Sequence, residues 1–196
     1  MPEQSKYHHN KEQLAAEVEA IEAAKKDPAK FEVLYNKYYE QIFRYLYQRL
    51  DSKEEAFDIT SEVFLKAMLN LYRYEFKGVP FASWLYRIAY NELNQAFRNN
   101  QVQRTINIDT THVNEMIEEM EEDSREAYKP LLKAAINNLS DPDLNLVEMR
   151  FFEKRPFKEI GNILEITENN AKVRLYRVLA KLKEMITVKK ASYERI

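Results

Sequence analysis

The chain has no cysteine, and only two glycines and six prolines among 196 residues. Without thiols, disulfides and thiolate metal sites are excluded, which suits a reducing compartment. So little glycine and proline leaves few turn formers and little to punctuate strands. Runs of Glu, Lys, Leu and Ala fill the space instead, so the expected fold is all-α. No apolar run approaches the roughly 20 residues that span a bilayer, and the start MPEQSKYHHNKEQ lacks the apolar core of a signal peptide. A cytoplasmic protein with no membrane insertion of its own is the expectation. Histidine is scarce: His8 and His9 sit in the polar start, and His112 has no matching partners nearby. There is no P-loop, nucleophile elbow or HExxH, so neither catalysis nor a cofactor or metal is expected.

What is present is charge, nearly balanced but unevenly spread. Thirty basic and 32 acidic residues leave a net charge of −2, which disfavours unaided binding to DNA. Acids crowd Glu115 to Asp123, whereas bases gather at Arg87 to Arg104 and at Lys172 to Lys190. A DNA-binding role therefore calls for a larger partner that supplies affinity.

The most informative stretch is FKEIGNILEITENNAKVRLYRVLAKLKEM, Phe157 to Met185. Phe157, Ile160, Ile163 and Leu164 form an apolar stripe, Glu165-Ile166 a tight turn, and Thr167 an N-cap for a second helix. In that helix Ala171, Leu175, Val178, Leu182 and Met185 share one face. A second stripe, Asn170, Arg174, Arg177 and Lys181, carries amide and cationic groups and no acid. On a lone helix this is usually a solvated face; after a capped turn it reads as a helix-turn-helix presented to a DNA major groove.

Upstream, residues 12–26 and about 28–50 read as helices, the second dense in Phe31, Tyr35, Tyr38, Tyr39, Phe43, Tyr45 and Tyr47, most of them expected in the core. A third helix at about 53–73 turns Ala56, Ile59, Val63, Phe64 and Ala67 one way. Asp58, Ser61, Glu62 and Leu65 face the other way, an exposed leucine among polar groups. The aromatic loop Tyr74 to Phe81 is either folded onto a core or able to stack on unpaired bases. A fourth helix, about 82–98, buries Leu85, Ile88, Ala89, Leu93 and Ala96, and lines Arg87, Asn91, Asn94 and Arg98 beside Trp84. Periodicity then fades into an acidic linker, in which Thr105 to Asp109 reads as briefly extended. It returns at Lys129-Pro130 with Leu131, Leu132, Ala135, Ile136 and Leu139. Ser140-Asp141-Pro142 breaks that helix, and Leu144 to Phe152 forms another. The resulting parts are a flexible start (1–11), a first domain (12–100), a linker (101–129), a second domain (130–188) and a frayed tail (189–196).

Two segments in this order carry a resemblance. EEAFDITSEVFLKAMLNLYRY with FASWLYRIAYNELNQAFR, and MRFFEKRPFKEIGNILEITENNAKVRLYRVLAKLK, resemble the two domains of extracytoplasmic-function sigma factors of the sigma-70 family. The resemblance implies that the first domain is sigma domain two and the second is sigma domain four. Asp58, Ser61, Glu62 and Leu65 would then dock on the clamp helices of core RNA polymerase. Tyr74, Phe76, Lys77, Phe81 and Trp84 would capture a flipped base of the minus-ten strand, with Arg87, Asn91, Asn94 and Arg98 along it. Thr167, Glu168, Asn169, Asn170, Lys172, Val173, Arg174, Arg177 and Lys181 would read the minus-thirty-five element. The linker would thread polymerase channels, and an anti-sigma factor would be a further partner. The sequence departs from the family pattern at Ser61, where glutamine is usual, and at Glu165, where glycine is usual. Asn169-Asn170 and Val173 differ from the small-plus-hydroxyl pattern at the reading end. Two other readings compete: a sigma-like decoy that binds a regulator, and a dimeric helix-turn-helix repressor that leaves the first domain unexplained.

Overall fold

A computed structural model describes residues 11–99, 115–118 and 125–193. Among the described residues there is no strand. The chain forms two compact units, residues 1–107 with 162–165, and residues 108–161 with 166–196. The first contains α1 (Lys11–Lys26), α2 (Phe31–Tyr47), α3 (Lys53–Asn70) and α4 (Phe81–Arg98).

Local chemistry sets these boundaries. Asp27 ends α1 and caps a 3-10 turn opened by Pro28, accepting from the Ala29 amide at 3.1 Å. Ser52 starts α3 by accepting from the Glu55 amide at 3.2 Å. The core of this unit is Ile21 and Ala24 of α1, with Leu34, Ile42 and Leu46 of α2, Val63 and Ala67 of α3, and Leu85, Ala89 and Leu93 of α4. Thr60, a polar residue inside the expected apolar stripe of α3, is buried because its hydroxyl donates to the Ala56 carbonyl at 2.6 Å. Ile59 and Ile88, expected in the core, are half-buried at its edges.

The aromatics of α2 divide. Phe31, Tyr38 and Tyr45 are buried, but Tyr35 and Tyr47 are exposed and Tyr39 and Phe43 are only half-covered. The last four recur every fourth residue along one edge of α2; Tyr35 lies tilted against Tyr39, and Tyr39, Phe43 and Tyr47 stack, with successive centroids 5.0, 6.3 and 5.7 Å apart. Phe57 of α3 stacks on Phe43 at 4.5 Å. Four-residue spacing lets rings cover each other on a helix surface, so aromatic density alone overstated the core.

The second unit contains α5 (Arg125–Ile136), α6 (Asp141–Val147), the start of α7 (Phe157–Leu164), and α8 (Glu168–Tyr193). Helix α5 begins five residues before the expected Pro130, which it accommodates inside its length, and α8 runs past the expected end at 188. From the linker, Met116 and Ile117 are fully buried in a helical turn at 115–118, and Glu115 pairs with Lys154. Burying two such side chains contributes about 1.5–3 kcal/mol each. Ordering four residues costs about 1–2 kcal/mol apiece, so this contact is near balance. Three apolar residues among seven acids and amides in residues 114–123 leave almost no periodic signal. Linker residues 101–114 and 119–124, including Thr105 to Asp109 and His112, lie outside the described residues.

After α6 a π-helical turn, Glu148–Phe152, leads into Lys154, whose φ of 55° is left-handed. Beyond it Arg155 is wholly buried and bonds Glu159 at 2.8 Å, with Glu148 and Glu153 also buried. The core around α8 is Ala171, Leu175, Val178 and Leu182, as the stripe predicted, plus Leu179 and Ile186; Met185 is half-buried.

Candidate nucleic-acid interface

The turn between α7 and α8 is closed by backbone geometry. Glu165 sits at φ 57°, and the Ile166 amide donates to the Gly161 carbonyl at 2.9 Å, a Schellman closure with a charged residue where glycine is favoured. Thr167 accepts from the Asn170 amide at 3.1 Å, the cap expected of it. The entry of α8 is thereby fixed, with Thr167, Glu168, Asn169, Asn170, Lys172, Val173, Arg174, Arg177 and Lys181 all exposed. The face is not free of acid, as the stripe had suggested. Lys181 bonds Asp143 of α6 at 3.1 Å, so an acid from another helix enters it. Tyr176, 44% exposed beside Val173, was missed; its place on the rim of the polar stripe was the available signal.

On α4, residues 84, 87, 91, 94 and 98 follow one edge. Asn91 and Arg98 are exposed, and Trp84 and Asn94 are half-covered. The loop before it splits the aromatic set into two groups. Phe76 is 44% exposed and Lys77 is exposed, lifted by Gly78 at φ 69°. Tyr74 and Phe81 are 7% and 0% exposed, so neither presents a face for stacking, a correction to the base-platform expectation. Their rings meet at 5.1 Å and each touches Trp84, at 5.1 and 5.4 Å. They form a floor beneath Trp84 because Val79 and Pro80 turn inward and carry Phe81 with them. Burial pushes the Tyr74 phenol up to about 12, and the Glu17 carboxyl adds to the effect.

Glu17 gave no functional signal in the sequence, since one acid inside an amphipathic helix looks solvated. It is 3% exposed and is bonded by Lys37, by the Tyr38 hydroxyl and by the Phe81 amide. On α3, Asp58, Ser61 and Glu62 are exposed and Leu65 is 46% exposed. Leu65 is not isolated among polar groups, however. Met68, Leu69 and Tyr72 are exposed at 39%, 60% and 65% and continue its face at three-, four- and seven-residue steps. That continuation was visible in the sequence and marks an apolar strip larger than one anchor. Lys66 ties α3 to α4 through Glu92 at 2.6 Å, and that bond holds its ammonium above the usual lysine range.

Among the described residues no group of three or more His, Asp or Glu is placed to hold a metal, and no helix is long and apolar enough to cross a membrane. A profile of sigma-70 region 2 matches residues 34–102, and one of sigma-70 region 4 matches residues 135–184. The chain is 26% identical over 171 residues to the ECF RNA polymerase sigma factor BldN of Streptomyces coelicolor, covering 86% of this chain and 64% of BldN. This chain belongs to the extracytoplasmic-function group of the sigma-70 family. The sigma factor is also 28% identical over 174 residues to RNA polymerase sigma factor YlaC of Bacillus subtilis, covering 84% of this chain and 96% of YlaC. The structure of CnrH in complex with the cytosolic domain of CnrY matches with a TM-score of 0.57 at 14% identity, over 88% of this chain and 98% of that one, which shows a shared fold. Proteins of this family regulate transcription rather than catalyse a reaction of their own. Helix α1 lies outside both profile matches.

Proposed function

We propose that this sigma factor binds core RNA polymerase, directs it to promoters and melts the minus-ten element, performing no catalysis by itself and working in the cytoplasm. The observation that carries the reading is the presence, in the order of regions 2 and 4, of an apolar strip, a partly exposed polar edge on α4 and an exposed polar edge on α8. The first edge is Trp84 to Arg98 on α4, and the second is Asn170 to Arg177 on α8.

The strip of Leu65, Met68, Leu69 and Tyr72, bordered by Asp58, Ser61 and Glu62, docks on the polymerase clamp helices. A contiguous apolar patch rimmed by polar groups is the usual form of a protein-binding surface. Phe76, Lys77 and the exposed side of Trp84 engage the unpaired minus-ten strand over the floor of Tyr74 and Phe81, where stacking contributes roughly 1–3 kcal/mol per base. Arg87, Asn91, Asn94 and Arg98 follow that strand. Asn169, Asn170, Val173, Arg174 and Arg177 face base edges in the minus-thirty-five groove, while Thr167, Glu168, Lys172 and Lys181 set the register. The acidic linker runs through channels of the polymerase that otherwise carry nucleic acid. An anti-sigma protein holds the chain inactive until a signal releases it. Polymerase supplies the affinity that a chain of net charge −2 lacks.

Arg174→Ala and Leu65→Asp separate the roles. The first lowers promoter selection by roughly fivefold to 150-fold with core affinity within twofold, because a good base contact contributes about 1–3 kcal/mol. The second lowers core affinity and leaves the intrinsic α8–duplex contact unchanged. Equal losses of both activities in both variants overturn the assignment.

A further inference from the structure

Among the described residues of the first unit, Glu17 is the one buried acid, and it sits in the helix outside both profile matches. Its two oxygens have different tasks. Oε1 accepts from Lys37 Nζ at 2.9 Å and from the Tyr38 hydroxyl, both on α2. Oε2 accepts from the Phe81 amide at 2.6 Å. Phe81 is the first residue of α4, whose N-terminal amides have no intrahelical partner. The preceding cap position is Pro80, which offers no side-chain acceptor, so a carboxyl from α1 caps α4 from a distance.

The same helix holds the opposite end of the loop. Lys25 Nζ, two turns after Glu17, donates to the Tyr74 carbonyl at 2.8 Å. The loop that displays Phe76 and Lys77 therefore has its first and last residues fastened to α1, through Lys25 and Glu17. Between those points only Val79 and Pro80 are buried, so the two bonds to α1 are anchors for the ends of an otherwise exposed loop.

We propose that Glu17 is a positioning residue for promoter melting, seating the loop Tyr74–Phe81 and the start of α4 with Lys25 as its counterpart. The inference rests on the reading of that loop as the element that takes the unpaired strand. Glu17 touches no nucleotide; it acts through the Phe81 amide.

The test is permanganate reactivity of minus-ten thymines on a promoter recovered by run-off transcription, using holoenzyme reconstituted from full-length chains at a temperature where each variant is folded. Glu17→Ala lowers opening at least tenfold while core affinity and minus-thirty-five selection stay within twofold. Glu17→Gln, which keeps an oxygen for the Phe81 amide, recovers most of the loss. Tyr38→Phe removes a donor from the other oxygen and lowers thermal stability, with opening within twofold at that temperature. If Glu17→Ala does not fold, Lys25→Met decides, with a severalfold loss of opening expected. Normal opening in a folded Glu17→Ala, or in Lys25→Met where that variant decides, overturns the proposal when Phe76→Ala and Lys77→Ala both lose opening. Normal opening in those two loop variants instead overturns the reading of the loop.

Discussion

Gly161 offers a test in which the sign of the effect decides the argument. Inside a helix, Gly→Ala ordinarily stabilises by about 0.8–1 kcal/mol, because alanine loses less backbone entropy. At Gly161 an added Cβ meets the Ile166 carbonyl oxygen at 2.8 Å, the Glu168 amide nitrogen at 3.1 Å and the Thr167 carbonyl carbon at 3.2 Å. All three are backbone atoms of the turn, so no flexible side chain can yield. Overpacking of this kind costs about 1–3 kcal/mol, which outweighs the propensity gain. The net expectation for Gly161→Ala is a loss of up to about 2 kcal/mol, and Gly161→Val, with lower propensity and two more methyls, loses more. Urea unfolding followed by circular dichroism measures the loss. Trp84, the one tryptophan, reports the first unit by fluorescence, so a shift confined to the dichroism places the damage in the second. The displaced turn also re-aims α8, so promoter selection falls with stability. An increase in stability for Gly161→Ala refutes the claim that α7 and the turn are held by that contact.

Other consequences follow from single groups. Tyr74 is raised from 10.0 to about 12 in the folded chain, so its contribution is intact below pH about 10 and is lost as pH rises through about 12. Denaturation at graded alkaline pH should show that loss, and Tyr74→Phe should remove its share of the slope. Arg155→Ala removes a wholly buried cation bonded to the buried Glu159 carboxyl and should destabilise the second unit by about 3–5 kcal/mol in urea titration. Lys181→Ala loses an ion pair with Asp143 at an exposed site, so thermal unfolding should change by less than about 1 kcal/mol. It should weaken promoter binding evenly across sequences and flatten the salt dependence, unlike Arg174→Ala.

Period and capping made much of this molecule legible. The stripe Ala171, Leu175, Val178 and Leu182 announced the buried face of α8, and Thr167 announced its start, because both rest on interactions within a few residues. The face of Asp58, Ser61, Glu62 and Leu65 was legible for the same reason, although its extension through Met68, Leu69 and Tyr72 was passed over. What stayed hidden depends on partners distant in sequence. Glu17 is buried by residues 20, 21 and 64 positions away, and no local pattern encodes that. For Tyr74 and Phe81 the sequence left a core and a stacking surface both open, and packing, which buries both rings, chose the core. Lys181 met its acid from α6, 38 residues earlier. The ladder from Tyr35 to Tyr47 had the spacing of a core and the location of a surface.

Run-off transcription tests the central claim most directly. Core polymerase from the same source is given a library of genomic fragments with and without this chain. New, discrete start sites that share two upstream elements are the predicted result, since regions 2 and 4 each select one. Absence of new starts, with binding to core confirmed, contradicts promoter recognition and leaves a chain that binds polymerase or a regulator without initiating. Absence of both new starts and core binding contradicts the whole account.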